Sequence, residues 1–186
     1  MTRIVLVGGG VRSGKSDFAL ARARALGARR AFVATAQAYD GEMQTRIARH
    51  QQERDASFTT IEEPLALEDA IARASAVSDV VLVDCLTLWL SNLLCDDATD
   101  EALHARFASL EASLRAASCP IVLVTNEVGL GIVPENALAR RFRDGAGALH
   151  RRLAAAADEV HLAAMGLVIR LKPAPIEPSD PGAPGD

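Results

Sequence analysis

Gly9-Gly10-Val11-Arg12-Ser13-Gly14-Lys15-Ser16 matches G-x-x-x-x-G-K-[ST], directly after the apolar run Ile4 to Val7 and directly before a segment of helical spacing, Ser16 to Leu26. That context is what the pattern's chemistry requires. Glycines let the backbone curl until successive N–H groups point into one concavity, and the following helix N-terminus adds its positive dipole end. Lys15 is then placed to reach the β and γ phosphates of a nucleotide, and Ser16 to put its hydroxyl on Mg²⁺. A chance match in a Gly-rich turn is the competing reading, but it arises in well under about 1% of chains this long. Lysine is scarce here, since Lys15 and Lys172 are the only two and arginine supplies nearly all the positive charge. The stretch therefore reads as a phosphate loop.

Working outward, four short β-branched or Leu-rich runs bounded by turn residues read as buried parallel strands: Ile4 to Val7, Ala31 to Ala34, Val80 to Val83 and Ile121 to Val124. Between them lie Ala/Leu/Arg-rich segments of helical spacing, Ser16 to Leu26, Gly41 to Arg54, Pro64 to Ala74 and Glu101 to Ala117. This alternation predicts an α/β domain of P-loop type, a mostly parallel sheet with helices on both faces. From Pro134 a helical stripe continues through Leu138, Phe142, Leu149, Leu153 and Val160, with Gly145 and Gly147 raising the prospect of two helices. Val160 to Ala164 and Leu167 to Leu171, parted by Met165-Gly166, read as an antiparallel edge hairpin. Residues 1–172 are expected to form one nucleotide-binding domain. Residues 173–186 hold five prolines and no aromatic, which predicts a disordered tail.

The chain has 186 residues, 49% hydrophobic and 24% charged, enough to bury one self-sufficient core. A net charge of −4 provides no basic surface for a nucleic-acid partner. The apolar stretch Val80 to Leu94 is interrupted by Asp84, Thr87, Ser91 and Asn92, too polar for a membrane span. Cys85, Cys95 and Cys119 have no C-x-x-C pairing, and no signal-peptide core precedes Gly8, so a cytoplasmic protein with reduced thiols is expected.

Val80-Val81-Leu82-Val83-Asp84 supplies the metal-side carboxylate expected at the end of a neighbouring hydrophobic strand, with helix capping as the plainer alternative. The end of another strand, Thr125-Asn126-Glu127-Val128, lacks the N-K-x-D that reads guanine in switch GTPases. Turn chemistry and ligand contact are equally open for Asn126 and Glu127. As a helix, residues 41–54 put Met43, Ile47, His50 and Arg54 on one face. By spacing alone His50 borders the core; the sharper alternative is a nucleophile attacking phosphorus, with Arg54 holding the phosphates.

Residues 4–172 resemble the bifunctional adenosylcobinamide kinase/adenosylcobinamide-phosphate guanylyltransferase family. The resemblance is carried by residues 9–16; by Ala34-Thr35-Ala36-Gln37 with Glu42-Met43, Arg46-Ile47, His50 and Arg54; by Val83-Asp84-Cys85-Leu86-Thr87 with Trp89 to Leu94; by Thr125 to Asn136; and by Ala157-Asp158-Glu159-Val160. It implies phosphorylation of adenosylcobinamide by ATP or GTP, then transfer of GMP from GTP to give adenosyl-GDP-cobinamide. The guanylylated histidine of the family aligns with His50, and Lys15 is its catalytic cation. Nucleotide contacts are implied for Gly9, Gly10, Val11, Arg12, Ser13, Gly14, Lys15, Ser16, Ala34, Thr35, Ala36, Gln51, Gln52, Glu53, Arg54, Glu62 and Asp84, with Ser16 and Asp84 on Mg²⁺. Glu62 is either a solvated carboxylate or an acceptor for guanine N–H groups. A homotrimer is also implied. The chain departs from the family pattern at His150-Arg151, where Asn-Gln is usual, and at Phe58, where Trp is usual. His104 and His161 fall outside these blocks and read as solvent-facing or structural, and Cys85 as a packing residue. The alternatives are a P-loop small-molecule kinase without a covalent intermediate, and a nucleotide-binding regulatory module.

Overall fold

The β-branched runs become the middle of a seven-stranded sheet. The computed structural model describes residues 3–37, 57–96 and 98–173. Its strands are β1 (Ile4–Gly9), β2 (Arg30–Ala34), β3 (Phe58–Glu62), β4 (Val80–Asp84), β5 (Ile121–Asn126), β6 (Glu159–Ala164) and β7 (Leu167–Lys172). They lie in the order β3-β2-β4-β5-β1-β6-β7. The first six are parallel and β7 is antiparallel to β6, as the mixed edge predicted. The helices are α1 (Lys15–Leu26), α2 (Leu67–Val77), α3 (Leu86–Cys95), α4 (Asp100–Ala116) and α5 (Ala137–Ala156).

Alternation along the strands divides the core in two. Val5, Val7, Phe32, Val80, Leu82, Val122 and Val124 face α1, against Ala19, Leu20 and Ala23. Ile4, Leu6, Val33, Val81, Val83, Ile121 and Leu123 face the other way, against α2, α3, α4 and α5. There Trp89 and Phe107 are fully buried, with the Trp89 Nε1–H donating to the Leu65 carbonyl at 2.9 Å. Side-chain caps start two of these helices: Thr99 accepts from the Ala102 N–H ahead of α4, and Asn136 Oδ1 accepts from the Ala139 N–H ahead of α5. Each satisfies a helix-end donor, worth about 1 kcal/mol.

The four expected strands are present, and the helical segments from 16, 64 and 101 appear as α1, α2 and α4. Two elements went unforeseen. Leu86–Cys95 forms a helix, α3, that follows β4 directly after Asp84 and Cys85. Phe58–Glu62 forms a strand although Thr59, Thr60 and Glu62 are exposed, since at the sheet edge it needs only Phe58 buried on one face and Ile61 packed on the other. Gly145 and Gly147 do not break α5. A Cβ at Gly145 would sit 3.5 Å from Leu90, an ordinary contact, so the space between α5 and α3 does not itself require the glycine. Val160 belongs to β6, not to the α5 stripe. The segment 41–54 and residues 174–186 lie outside the described residues. Among those described, no helix is long and apolar enough to cross a membrane.

Candidate nucleotide site

All six parallel strands end on one edge of the sheet, where ligands of open α/β folds bind. Register sets Glu62, Ala34 and Asp84 side by side at the ends of β3, β2 and β4, while Gly9 and Asn126 are paired at the ends of β1 and β5. The phosphate loop leaves this edge from β1. A Cβ on Gly9 would lie 2.5 Å from the Ala163 carbonyl and 2.6 Å from Ser13 Oγ, so only glycine fits. Gly14, at φ 89°, takes the left-handed conformation that turns the chain into α1. Arg12 also has positive φ, at 54°. From outside, the β6–β7 turn buttresses the loop, with the Gly166 N–H donating to the Ser13 carbonyl at 3.2 Å. The first N–H groups of α1 thus open into the curl.

Lys15 and Ser16 occupy the first turn of α1. Lys15 Nζ donates to the Gly10 carbonyl at 3.2 Å, which keeps the ammonium over its own loop. Ser16 Oγ donates to Asp84 Oδ2 at 3.3 Å. Expected on a strand beside β1, Asp84 is instead one strand further away, because β5 lies between β1 and β4. It still meets Ser16, since α1 crosses over both β4 and β5 on leaving the loop. A hydroxyl and a carboxylate at this spacing are hard oxygen donors of the kind Mg²⁺ takes alongside substrate phosphates. Ser13 Oγ is buried and has no hydrogen-bond partner among the described residues.

The Ala34-Thr35-Ala36 stretch is fastened to the end of β4. Thr35 Oγ1 donates to the Cys85 carbonyl at 2.7 Å and accepts the Cys85 N–H at 2.9 Å. Asn92 Nδ2 donates to the Thr35 carbonyl at 2.8 Å and the Pro64 carbonyl at 3.0 Å, tying α3 to the same corner. Thr35 is fully buried, whereas Glu62 is exposed on the same edge. Burial pushes the Cys85 thiol up to about 11, and the Asp84 charge adds to the rise, which suits the packing role expected for it. His50, Gln51, Gln52, Glu53 and Arg54 lie outside the described residues.

The end of β5 separates residues the sequence left undivided. Glu127 accepts from the Gly129 and Leu130 N–H groups at 2.6 and 3.1 Å, while Arg143 donates to the Gly129 carbonyl at 2.5 Å, bracing the loop after β5. Asn126 Nδ2 donates to Thr87 Oγ1 at 2.9 Å. Thr125 Oγ1 and His150 Nε2 are 2.7 Å apart, and burial pushes His150 below its ordinary value against the opposing pull of Glu127. His161 donates to Glu159 at 3.0 Å in the α1 layer, and His104 is exposed. The partnerships of Thr87 and His150 join residues 39 and 25 positions apart, and no local sequence pattern announces them.

Residues 5–171 match the family model described as cobinamide kinase / cobinamide phosphate guanyltransferase. The chain is similar to the bifunctional adenosylcobalamin biosynthesis protein CobP of Pseudomonas aeruginosa, at 44% identity across 92% of this chain and 98% of that protein. It is 40% identical to the bifunctional adenosylcobalamin biosynthesis protein CobU of Escherichia coli, across 91% of this chain and 99% of that one. Among solved structures, the P4 protein from bacteriophage phi6 in complex with ADP shares the fold at a TM-score of 0.51 and 15% identity, covering 90% of this chain and 54% of that one. The chain belongs to the cobinamide kinase / cobinamide phosphate guanyltransferase family.

Proposed function

We propose that this member of the family carries out both reactions at the carboxyl edge, phosphorylating adenosylcobinamide with ATP or GTP and then passing GMP to the product through a guanylyl-His50 intermediate. The observation that carries the reading is the Ser16–Asp84 pair facing the phosphate loop, with Lys15 held over that loop. In the first reaction the aminopropanol hydroxyl oxygen forms a bond to the γ-phosphorus. The bridging P–O bond breaks and its electron pair leaves on the β-phosphate. Loop N–H groups and the Lys15 ammonium offset the charge on the phosphoryl oxygens. Ser16 and Asp84 are the residues that would hold Mg²⁺, which when bound supplies further neutralisation of the phosphates.

In the second reaction an imidazole nitrogen of His50 attacks the α-phosphorus of GTP and pyrophosphate leaves. A phosphate oxygen of adenosylcobinamide phosphate then displaces the imidazole, giving adenosyl-GDP-cobinamide and regenerating His50. The divided route replaces one transfer between two anions with two attacks that each begin or end on a neutral ring. Glu62 would accept from guanine N–H groups, a role supported by its exposure level with Ala34 and Asp84 at the carboxyl edge. A cytoplasmic homotrimer completes the reading, supported by the family resemblance.

Incubation with Mg²⁺ and GTP labelled at the α-phosphate, followed by denaturation and intact mass, tests it. A GMP adduct that is acid-labile, base-stable and lost in His50→Ala is expected. No adduct on folded, GTP-binding protein would sink the guanylyltransferase half and leave a kinase without a covalent intermediate.

A further inference from the structure

β5 is the strand between the phosphate-loop strand and the Asp84 strand, so its final residue stands between the two halves of the nucleotide site. That residue is Asn126, level with Gly9, while Val124 of the same strand is level with Asp84. The amide is held in one orientation. Its Nδ2 donates to Thr87 Oγ1 at 2.9 Å and lies 3.8 Å from Cys85 Sγ, and its backbone N–H points at the same Thr87 oxygen at 3.4 Å. Thr87 is buried in the first turn of α3, and Cys85 is buried and neutral, so this anchor is dry and uncharged. With the nitrogen turned to Thr87, the amide's acceptor is Oδ1. No described residue donates to it.

The other polar side chains here are engaged. Glu127 braces the loop through both oxygens, Thr125 is joined to His150, and Asp84 accepts from Ser16. We propose that Asn126 Oδ1 accepts the hydrogen bond of the substrate alcohol that attacks the γ-phosphorus, aiming the oxygen lone pair along the line of displacement. This rests on the kinase half of the proposed function. The amide takes no proton. As the new O–P bond forms and the bridging bond breaks onto the β-phosphate, the hydroxyl proton passes to an oxygen of the transferred phosphoryl group, compatible with a loose transition state. Asn126 contributes orientation, whose loss through a small displacement costs on the order of 100-fold in rate.

The test measures cobinamide-dependent release of nucleoside diphosphate, GTP affinity and thermal unfolding for wild type, Asn126→Ala, Asn126→Ser and Thr87→Val. Expected is a fall in kcat on the order of 100-fold for Asn126→Ala, with the nucleotide KM, GTP affinity and melting temperature near wild type. Asn126→Ser, which keeps an acceptor oxygen, recovers part of the rate. Thr87→Val keeps Oδ1 but removes its anchor, and gives a smaller fall in kcat with the same unchanged nucleotide KM. Wild-type kcat in Asn126→Ala, or loss of GTP affinity in step with kcat across all three folded variants, overturns the assignment. If Asn126→Ala fails to fold, Thr87→Val decides the matter, and unchanged kcat there overturns the assignment. Wild-type protein that binds GTP yet phosphorylates no cobinamide overturns the kinase reading, and this assignment with it.

Discussion

The two faces of the sheet combine apolar burial and charge in different proportions. On one, α2, α3, α4 and α5 bury a continuous apolar mass centred on Trp89, Phe107 and Leu110. On the other, α1 is the helix that covers a smaller apolar seat among the described residues, and it is tied down by charge. Glu159 of β6, buried, accepts from Arg22 of α1 at 2.6 Å and from His161 at 3.0 Å, and it also pairs with Arg3. His161 in turn lies against Phe18 of α1, with ring centroids 4.8 Å apart. Apolar burial is non-directional and tolerates small slips of a helix. Hydrogen bonds and ion pairs weaken steeply when their geometry changes. Directional contacts cross the other face too, where Arg106 of α4 pairs with Glu68 of α2 at 2.8 Å and Arg141 of α5 with Asp100 of α4 at 2.7 Å. There they add to a large apolar mass, whereas α1, which must point its first turn at phosphates, has the smaller apolar seat and leans on them more.

Three substitutions probe this contrast, in falling order of effect. Trp89→Ala removes the largest fully buried side chain and leaves the Leu65 carbonyl to Arg106; a loss of about 4 kcal/mol in chemical denaturation is expected. Glu159→Gln leaves two arginines without their shared carboxylate and should cost about 2 kcal/mol. Were it to cost as much as Trp89→Ala, the charge cluster would be a second core and the contrast would fail. The pH profile sharpens the point. Burial alone would raise the Glu159 pKa, but hydrogen bonds from His161 and Arg22 and the charges of Arg22 and Arg3 outweigh it and hold the group at about 2. Because the folded value lies below the ordinary 4.5, this stabilisation is complete above that pH and is lost as pH falls from about 4.5 to 2. Wild type should therefore lose stability in that window by an increment that Glu159→Gln does not show. Arg115→Gln breaks an exposed i,i+4 pair with Glu111 on α4 and should cost only about 0.3 kcal/mol. A larger loss would mean that ion pairs matter on both faces.

The sequence carried these two faces unequally. Strands β1, β2, β4 and β5 were legible because buried parallel strands are continuous apolar runs, and the phosphate loop because its glycines and lysine follow a fixed spacing. β3 was missed because an edge strand with Thr59, Thr60 and Glu62 exposed has no such run. The end of β4 at Asp84 was legible, but α3 was missed because Leu86–Cys95 continues the same Leu-rich composition with too few polar residues to mark a helical face. Within the site, Lys15, Ser16 and Asp84 could be named in advance, but not that β5 separates the strands of Lys15 and Asp84. Strand order depends on pairing between distant segments, to which local pattern is blind. The Glu159 cluster was invisible for the same reason, since Arg3, Arg22 and Glu159 come together only through the β1–β6 pairing.

That strand order also bears on how the chain reaches its native state. β1 carries the phosphate loop, yet its partners are the distant β5 and β6, with Ile4 opposite Ile121 and Val5 opposite Glu159. Closing contacts across such separations precedes any gain from them, so assembly around β1 is slow compared with local helix formation. During synthesis the loop residues precede both neighbours of their strand. The phosphate loop is therefore framed only where β5 and β6 have docked on β1, and nucleotide present during refolding is expected to favour chains in which they have.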